Sequence, residues 1–207
     1  MKLELIRPWL FRLIVKVSHL FRRERPLLSV GRRCRFDKAL SIKVGQRATL
    51  RMGRKVALRG GCVIDLAKEG VLVLGDQAEI RHYAIIECAG RVLIGNRSVI
   101  GAYNWLQGSG EIEIGDDVII GPGVRIISTT HDISDPDQPF SRQPLIVKSV
   151  RIDNNVWIGA NVVILSGVHI GKNVVIGAGA LVNRNLEAGG VYVGVPARRV
   201  KEVQSNL

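Results

Sequence analysis

Of the side chains able to do chemistry in this 207-residue chain, four are histidines, and one of these has an unusual setting. His131 is flanked by Thr129, Thr130 and Asp132 in the stretch ISTTHDISDPDQPFSRQPLIVKSVR, which also holds Pro136, Pro139 and Pro144. Imidazole accepts a proton near neutral pH, so a positioned histidine is a natural base for turning an alcohol into a nucleophile. Asp132, Asp135 and Asp137 are near enough in sequence to steady its tautomer, and sequence does not choose among them. His19, His82 and His169 fit solvated or structural roles. Cys34, Cys62 and Cys88 are an odd set without CxxC spacing, which reads as small buried thiols in a reducing cytosol.

The elements that must position His131 announce themselves by their period. From Ile152, every sixth residue is aliphatic: Ile158, Ile164, Ile170, Ile176 and Val182. Four places after each comes Val156, Val162, Val168, Val174, Ala180 and Leu186. A period of six is neither helical nor that of one continuous strand. It predicts short strands joined by turns that coil in one direction, three sides to a coil, stacked as a parallel β-helix. Gly159, Gly171 and Gly177 directly follow aliphatic positions, where unusual backbone angles would call for glycine. Asn154, Asn155 and Asn173 fall in the same turns.

Upstream, the triplets Val30, Phe36, Ile42; Met52, Leu58, Ile64; Leu74, Ile80, Ile86; Ile94, Ile100, Leu106; and Ile114, Ile120, Ile126 keep the rule. Gaps of ten and then eight residues predict extra residues bulging from one corner, and the count predicts seven coils. SIKVGQRATLRMG and VIDLAKEGVLVLG share one layout, which supports that register. The only large break lies between Ile126 and Ile152, and its prolines predict a loop over 128–150. Long loops inside compact repeats are often functional.

Residues 1–26 read as a separate element, a basic amphipathic helix. Trp9, Leu10, Leu13, Ile14, Val17, Leu20 and Phe21 share one face, with Arg12, Lys16, His19, Arg22 and Arg23 opposite. The apolar run is too short to span a bilayer and lacks a secretory cleavage pattern. One reading is a cap on the first coil. The other is peripheral contact with an anionic membrane through residues 1–25, at the inner face of the cell membrane for a cytoplasmic protein. The same helix can serve both roles. The β-helix domain is expected over 27–203, followed by a tail, 204–207.

Thirty Lys and Arg against 18 Asp and Glu give a net charge of +12, which points to anionic partners. The aromatic residues form no stacking platform and no groove-reading helix is apparent, so nucleic acid is not expected. The scarcity of rings, 5% aromatic beside 46% hydrophobic residues and 23 glycines, suits thin stacked coils.

VWIGANVVILSGVHIGKNVVIGAGALV followed by VGVPARRV resembles the hexapeptide-repeat acyltransferases, and STTHDISDPDQPF resembles the loop that holds that family's catalytic histidine. The resemblance covers about residues 74–203 and, more loosely, the coils from 30 onward. Its nearest flavour is the bacterial O-acetyltransferases of sugars and polysaccharides, including the maltose, galactoside and xenobiotic types. It implies a left-handed parallel β-helix, a homotrimer, and acetyl-CoA in the groove between subunits, with no metal required. The matched His131 would take the proton from an acceptor hydroxyl, which attacks the thioester directly. By motif, Ala160 in WIGA, Ala178, Asn183 and Arg184 in GAGALVNR, and Arg198 and Lys201 in PARRVK would contact the cofactor. Small side chains suit a pantetheine arm and cations suit phosphates. Asn104 in GAYNWLQ matches a position touching the acceptor or is a turn asparagine, and Trp157 walls the site or packs at a corner. Serine-type and amine-type acceptors stay open as alternatives. A γ-type carbonic anhydrase on the same fold needs three histidines around zinc, and the separations of His82, His131 and His169 do not supply that pattern.

Overall fold

A computed structural model describes the backbone of residues 15–17 and the whole of residues 26–203. The chain winds as a solenoid of seven coils, 27–44, 49–66, 71–88, 91–108, 111–127, 150–164 and 169–182. Each coil lays one strand on each of three faces. In the second coil these are Thr49–Met52 on the first face, Ala57–Leu58 on the second and Val63–Leu66 on the third. Successive coils pair in parallel, so each face is one continuous sheet.

The six-residue rule is the interior. On the third face Ile42, Ile64, Ile86, Leu106, Ile126, Ile164 and Val182 are register partners from coil to coil. On the second face Phe36, Leu58, Ile80, Ile100, Ile120, Ile158 and Ile176 form the same kind of column. Both columns are buried. A coil one residue out of register would turn its aliphatic residues outward, so burial of the column fixes the pairing.

Three expectations need correction. The extra residues in the early coils do not bulge. They lengthen the first-face and third-face strands to four residues, as in Ser41–Val44 and Thr49–Met52. They alternate inward and outward, and the added inward residues Val44, Leu50, Leu66, Leu72, Cys88 and Val92 are buried. These coils are therefore wider on two sides, because the chain supplies apolar residues at the added inward positions.

The glycines after aliphatic positions are there for space, not for backbone angle. A Cβ on Gly159 would lie 2.6 Å from the Ala178 nitrogen, and one on Gly171 would lie 2.7 Å from the Ala188 nitrogen. The left-handed residue comes two places later, at Asn161, Asn173 and Gly179. Asparagine tolerates that region better than most side chains.

The expected helix over residues 1–26 falls mostly outside the described residues. Within it, Val15–Val17 is a strand, paired in parallel with Ser41–Val44 through Val15↔Ile42 and Val17↔Val44. The third-face edge of the first coil offers unpaired backbone groups, and a Val-Lys-Val segment suits a strand. At the other end Gly190–Val193 extends the second face, and Arg198–Glu202 closes that sheet antiparallel. Residues 204–207 lie outside the described residues.

Two predictions follow from this packing. Gly159→Ala should cost about 1–3 kcal/mol by forcing apart neighbouring coils. Gly179→Ala, at φ +70° with no heavy atom within 4 Å of its Cβ, should cost only about 1 kcal/mol. Urea unfolding of both variants checks the order, and a larger loss at Gly179 would refute the close-approach account. Burial also raises all three thiols, Cys88 to about 11. The folded chain keeps that proton after the unfolded chain has lost its own. Stability is thus fully present below the ordinary thiol value of 9.0 and declines as pH rises toward about 11. Cys88→Ala should flatten that decline in urea midpoints measured from pH 8 to 11.

Candidate active site

The loop that carries His131 leaves the solenoid at the corner between the third face of the fifth coil and the first face of the sixth. Its departure is pinned by Ser128, which is buried. The Ser128 hydroxyl donates to the Gln107 carbonyl at 2.8 Å and accepts from the Gly110 amide at 2.9 Å. Lys148 N–H donates to the Ser128 carbonyl on the return. Between these anchors Thr129–His131 pairs antiparallel with Leu145–Val147, so His131 stands opposite Leu145 at the end of a short ribbon. The Asp132 amide donates to the Pro144 carbonyl, continuing the ribbon by one step.

Beyond that point the loop is organised around Gln143, the one buried side chain between residues 129 and 149. Its Nε2 donates to the carbonyls of Asp135 at 2.8 Å and Gln138 at 3.0 Å, and its Oε1 accepts from the Asp135 amide at 3.3 Å. Asp132 Oδ1 accepts from the Ser134 amide at 2.9 Å, and that N–H holds the carboxyl below its usual range. Asp135 Oδ1 accepts from the Asp137 amide. Asp132 and Asp135 therefore shape turns, and no carboxylate among the described residues is bonded to the His131 ring. That ring is exposed and has no hydrogen-bond partner among the described residues.

The residues expected to hold the cofactor lie along the third face of the last two coils. Ala160 and Ala178 sit one above the other at its leading corner, joined where the Gly179 amide donates to the Ala160 carbonyl. Asn183 and Arg184 are exposed at its trailing corner, two coils beyond the loop's exit. Between the corners the outward side chains are Val163, Leu165 and Leu181, a narrow apolar strip. The segment 194–197 crosses the end of this strip. Leu181 N–H donates to the Gly194 carbonyl and Ala197 N–H to the Leu181 carbonyl. Arg198 starts the closing strand immediately after, and it and Lys201 are exposed. An apolar strip edged by alanines, with cations at its far end, fits an acyl-pantetheine arm with phosphates.

Two expected acceptor contacts are not brought to His131. Asn104 is buried, with Oδ1 accepting from the Val124 amide at 2.7 Å, because it occupies an inward position filled by Ala84 and Val124 in adjacent coils. Its Nδ2 has no partner in the coil interior. Trp157 points outward from the second face, 58% exposed, in register with Ile119 and Val175. That is a different face from the one the loop leaves.

Outward third-face residues below the loop, which no sequence motif marks, add polar groups and a ring to this surface. Thr129 Oγ1 donates to Gln107 Oε1 at 3.1 Å, and the Trp105 indole N–H donates to Glu87 Oε2 at 3.0 Å. Only the period-two alternation of the strands Ile85–Cys88 and Trp105–Gly108 could have placed them on one surface. The other described histidines are spoken for, His169 by Asp153 at 3.1 Å and His82 by Asp37 at 3.9 Å. Among the described residues no group of three or more His, Cys, Asp and Glu is arranged to hold a metal ion.

Residues 149–184 match the family described as bacterial transferase hexapeptide (six repeats). Nodulation protein L of Rhizobium meliloti is 36% identical over 133 residues, covering 63% of this chain and 70% of that protein. A probable acetyltransferase of Mycobacterium tuberculosis is 33% identical over 132 residues, 63% of this chain, and the match spans only 42% of that relative's length. Among solved structures, AntD, an N-acyltransferase from Bacillus cereus in complex with dTDP-4-amino-4,6-dideoxyglucose and coenzyme A, superposes with a TM-score of 0.64. It is 27% identical, and the match covers 86% of each chain.

Gln143 is the testable support of the site. Gln143→Ala removes three loop hydrogen bonds and leaves backbone groups unsatisfied, at about 1–3 kcal/mol each where buried. Cleavage within 132–144 by a dilute protease should accelerate at least about tenfold while the solenoid's melting stays unchanged. Equal cleavage rates would remove Gln143 from this role.

Proposed function

The chain belongs to the bacterial hexapeptide-repeat transferases, and from that membership we propose that it moves an acetyl group from acetyl-CoA to a hydroxyl of a sugar, polysaccharide or glycolipid precursor. The observation that carries this is the setting of His131. Its ring is solvent-facing and without a hydrogen-bond partner among the described residues, on a ribbon anchored at the edge of the face that ends in the alanine-edged strip. A sugar acceptor is favoured by the neighbour AntD, whose complex holds a nucleotide sugar beside coenzyme A. An amine acceptor is the second reading, since AntD is an N-acyltransferase.

In this mechanism a ring nitrogen of His131 takes the proton of the acceptor hydroxyl as its oxygen attacks the thioester carbonyl carbon. The new C–O bond forms, the C–S bond breaks, and the imidazolium returns the proton to the leaving thiolate. No acyl-enzyme is involved. Ala160 and Ala178 leave room for the pantetheine arm, Asn183 offers hydrogen bonds, and Arg184, Arg198 and Lys201 balance phosphate charge. The acceptor lies against Glu87, Trp105 and Gln107 below the ribbon, a ring and polar groups suited to a saccharide.

A homotrimer is part of the proposal, supported by exposed apolar groups in a row: Ile119 at 55% and Trp157 at 58% on the second face, with Tyr83 stacked on Tyr103 at its corner. So is membrane contact through residues 1–25 in the cytoplasm, which lie largely outside the described residues.

His131→Ala should lower kcat for acetyl transfer by about 10²–10⁴ with little change in acetyl-CoA affinity. Trp105→Ala should instead raise KM for the saccharide. Labelled acetyl-CoA incubated with polysaccharide and glycolipid fractions reads both, and undiminished transfer by His131→Ala would sink the catalytic assignment.

A further inference from the structure

The net charge of this chain is sharply polarised. Residues 61–207 hold 13 Lys and Arg against 15 Asp and Glu, so the coils that carry His131 and the strip are close to neutral. Residues 26–60, the first coil and most of the second, hold ten Lys and Arg against Asp37 alone. The basic character therefore lies away from the coenzyme phosphates, at the opposite end of the solenoid.

Cross-coil ion pairing sharpens the asymmetry. Lys43 pairs with Asp65, Arg54 with Asp76, Arg59 with Glu79, Arg91 with Glu111 and Arg97 with Asp117. In each of these pairs the cation is on the earlier coil and the acid on the next. A ladder built this way runs out of acids at its beginning. Arg32, Arg33, Arg35, Lys38 and Arg51 are exposed, and no hydrogen bond or ion pair engages their side chains among the described residues. They are not confined to one face: Arg51 is on the first face, Arg32 and Arg33 at the next corner, Arg35 on the second face and Lys38 at the corner after it. Arg32 and Arg33 also line a cleft of about 400 Å³ with Arg54, Lys55, Asp76 and Gln77, where Arg33, Lys55 and Gln77 hold left-handed backbone angles.

We propose that this basic collar docks the first two coils onto an anionic phospholipid surface. A collar spread over two faces and their corners suits a broad sheet of charge met end-on better than a single groove suits a rod-like polyanion. The exposed aromatic pair Tyr83 and Tyr103 belongs to later coils, so the collar lacks the stacking groups a single-stranded nucleic acid would use. The inference rests on charge and pairing, not on the acetyl-transfer reading, and it is separate from any contact through residues 1–25. It adds a geometric consequence: the loop's coil is four rungs from the first, at about 4.8 Å each, which holds His131 about 19 Å from the docked end. That is a reach suited to the head of a lipid-linked glycan.

The test uses the full chain and sedimentation with phosphatidylcholine vesicles, with or without 30 mol% phosphatidylglycerol, at about 0.1 M salt. Binding is expected only to the anionic vesicles. A variant carrying Arg32→Gln, Arg33→Gln, Arg35→Gln, Lys38→Gln and Arg51→Gln retains residues 1–25 and every cross-coil ion pair named above. Its partition coefficient should fall at least about tenfold, with unchanged melting and unchanged turnover of acetyl-CoA. Undiminished binding by this variant, or equal binding to neutral vesicles, overturns the proposal. So does displacement from anionic vesicles by single-stranded DNA at equal charge, which would mark a nucleic-acid surface. Loss of acetyl transfer with docking intact would fault only the catalytic reading.

Discussion

Rung-on-rung registry is the constraint on which everything else in this molecule depends. Each strand's amides are satisfied by carbonyls of the next coil, so residues one coil apart must sit directly above one another. That requirement makes columns. An apolar column, aliphatic apart from Phe36, fills each face from within, as Phe36 through Ile176 does on the second. A column of glycines permits the close approach of corners. A column of Asn and Asp side chains stitches one corner: Asn154 accepts from the Asp116 amide, Asp116 from Asn96, Asn96 from Asp76, and Asp76 from Arg54. No helix-style cap and no central core of large rings is needed.

What was legible in the sequence is what registry imposes on residue type. The aliphatic columns had to appear at period six, so coils, their number and the break before Ile152 could all be read. His131 was legible for the same reason, since it stands where the pattern stops. Backbone conformation was less so. Glycine was read at Gly159 as a sign of unusual angles, whereas the left-handed residue is Asn161 and the glycine answers to Ala178 overhead. In the early coils that conformation falls on Arg33, Lys55, Gln77, Tyr83 and Tyr103, types that give no hint of it. Gln143 was invisible because a buried polar side chain inside an irregular loop obeys no period. Asn104 was misleading because its type suits a surface turn, while its column is interior.

The ion pairs along the outside contribute little to stability individually, being largely exposed. Their common direction matters more. With the Lys or Arg on the earlier rung in the early cross-coil pairs from Lys43–Asp65 through Arg97–Asp117, charge is displaced along the axis as it is across any stack of aligned dipoles. Neutral coils bear the strip and the loop, and charge accumulates at the other end. On the proposed readings, an anionic surface and an anionic donor are met by different cations at opposite ends of one thin rod.

Registry also explains why the chemistry sits where it does. A solenoid can admit an insertion only where the chain passes from one rung to the next without losing its partners. At the third corner of the fifth coil, Ile126 stays paired with Leu106 below and Ile164 above, while Val150 resumes the first face against Ile112. The two residues flanking the break keep their places in the sheets, and Ser128 closes the gap between them. Twenty-two residues of irregular chain, 128–149, are therefore added at the cost of their own ordering, most of it met by the ribbon and Gln143. The solenoid gives His131 a fixed footing without itself being distorted, which is what the proposed role of base requires when its partner must arrive in one orientation.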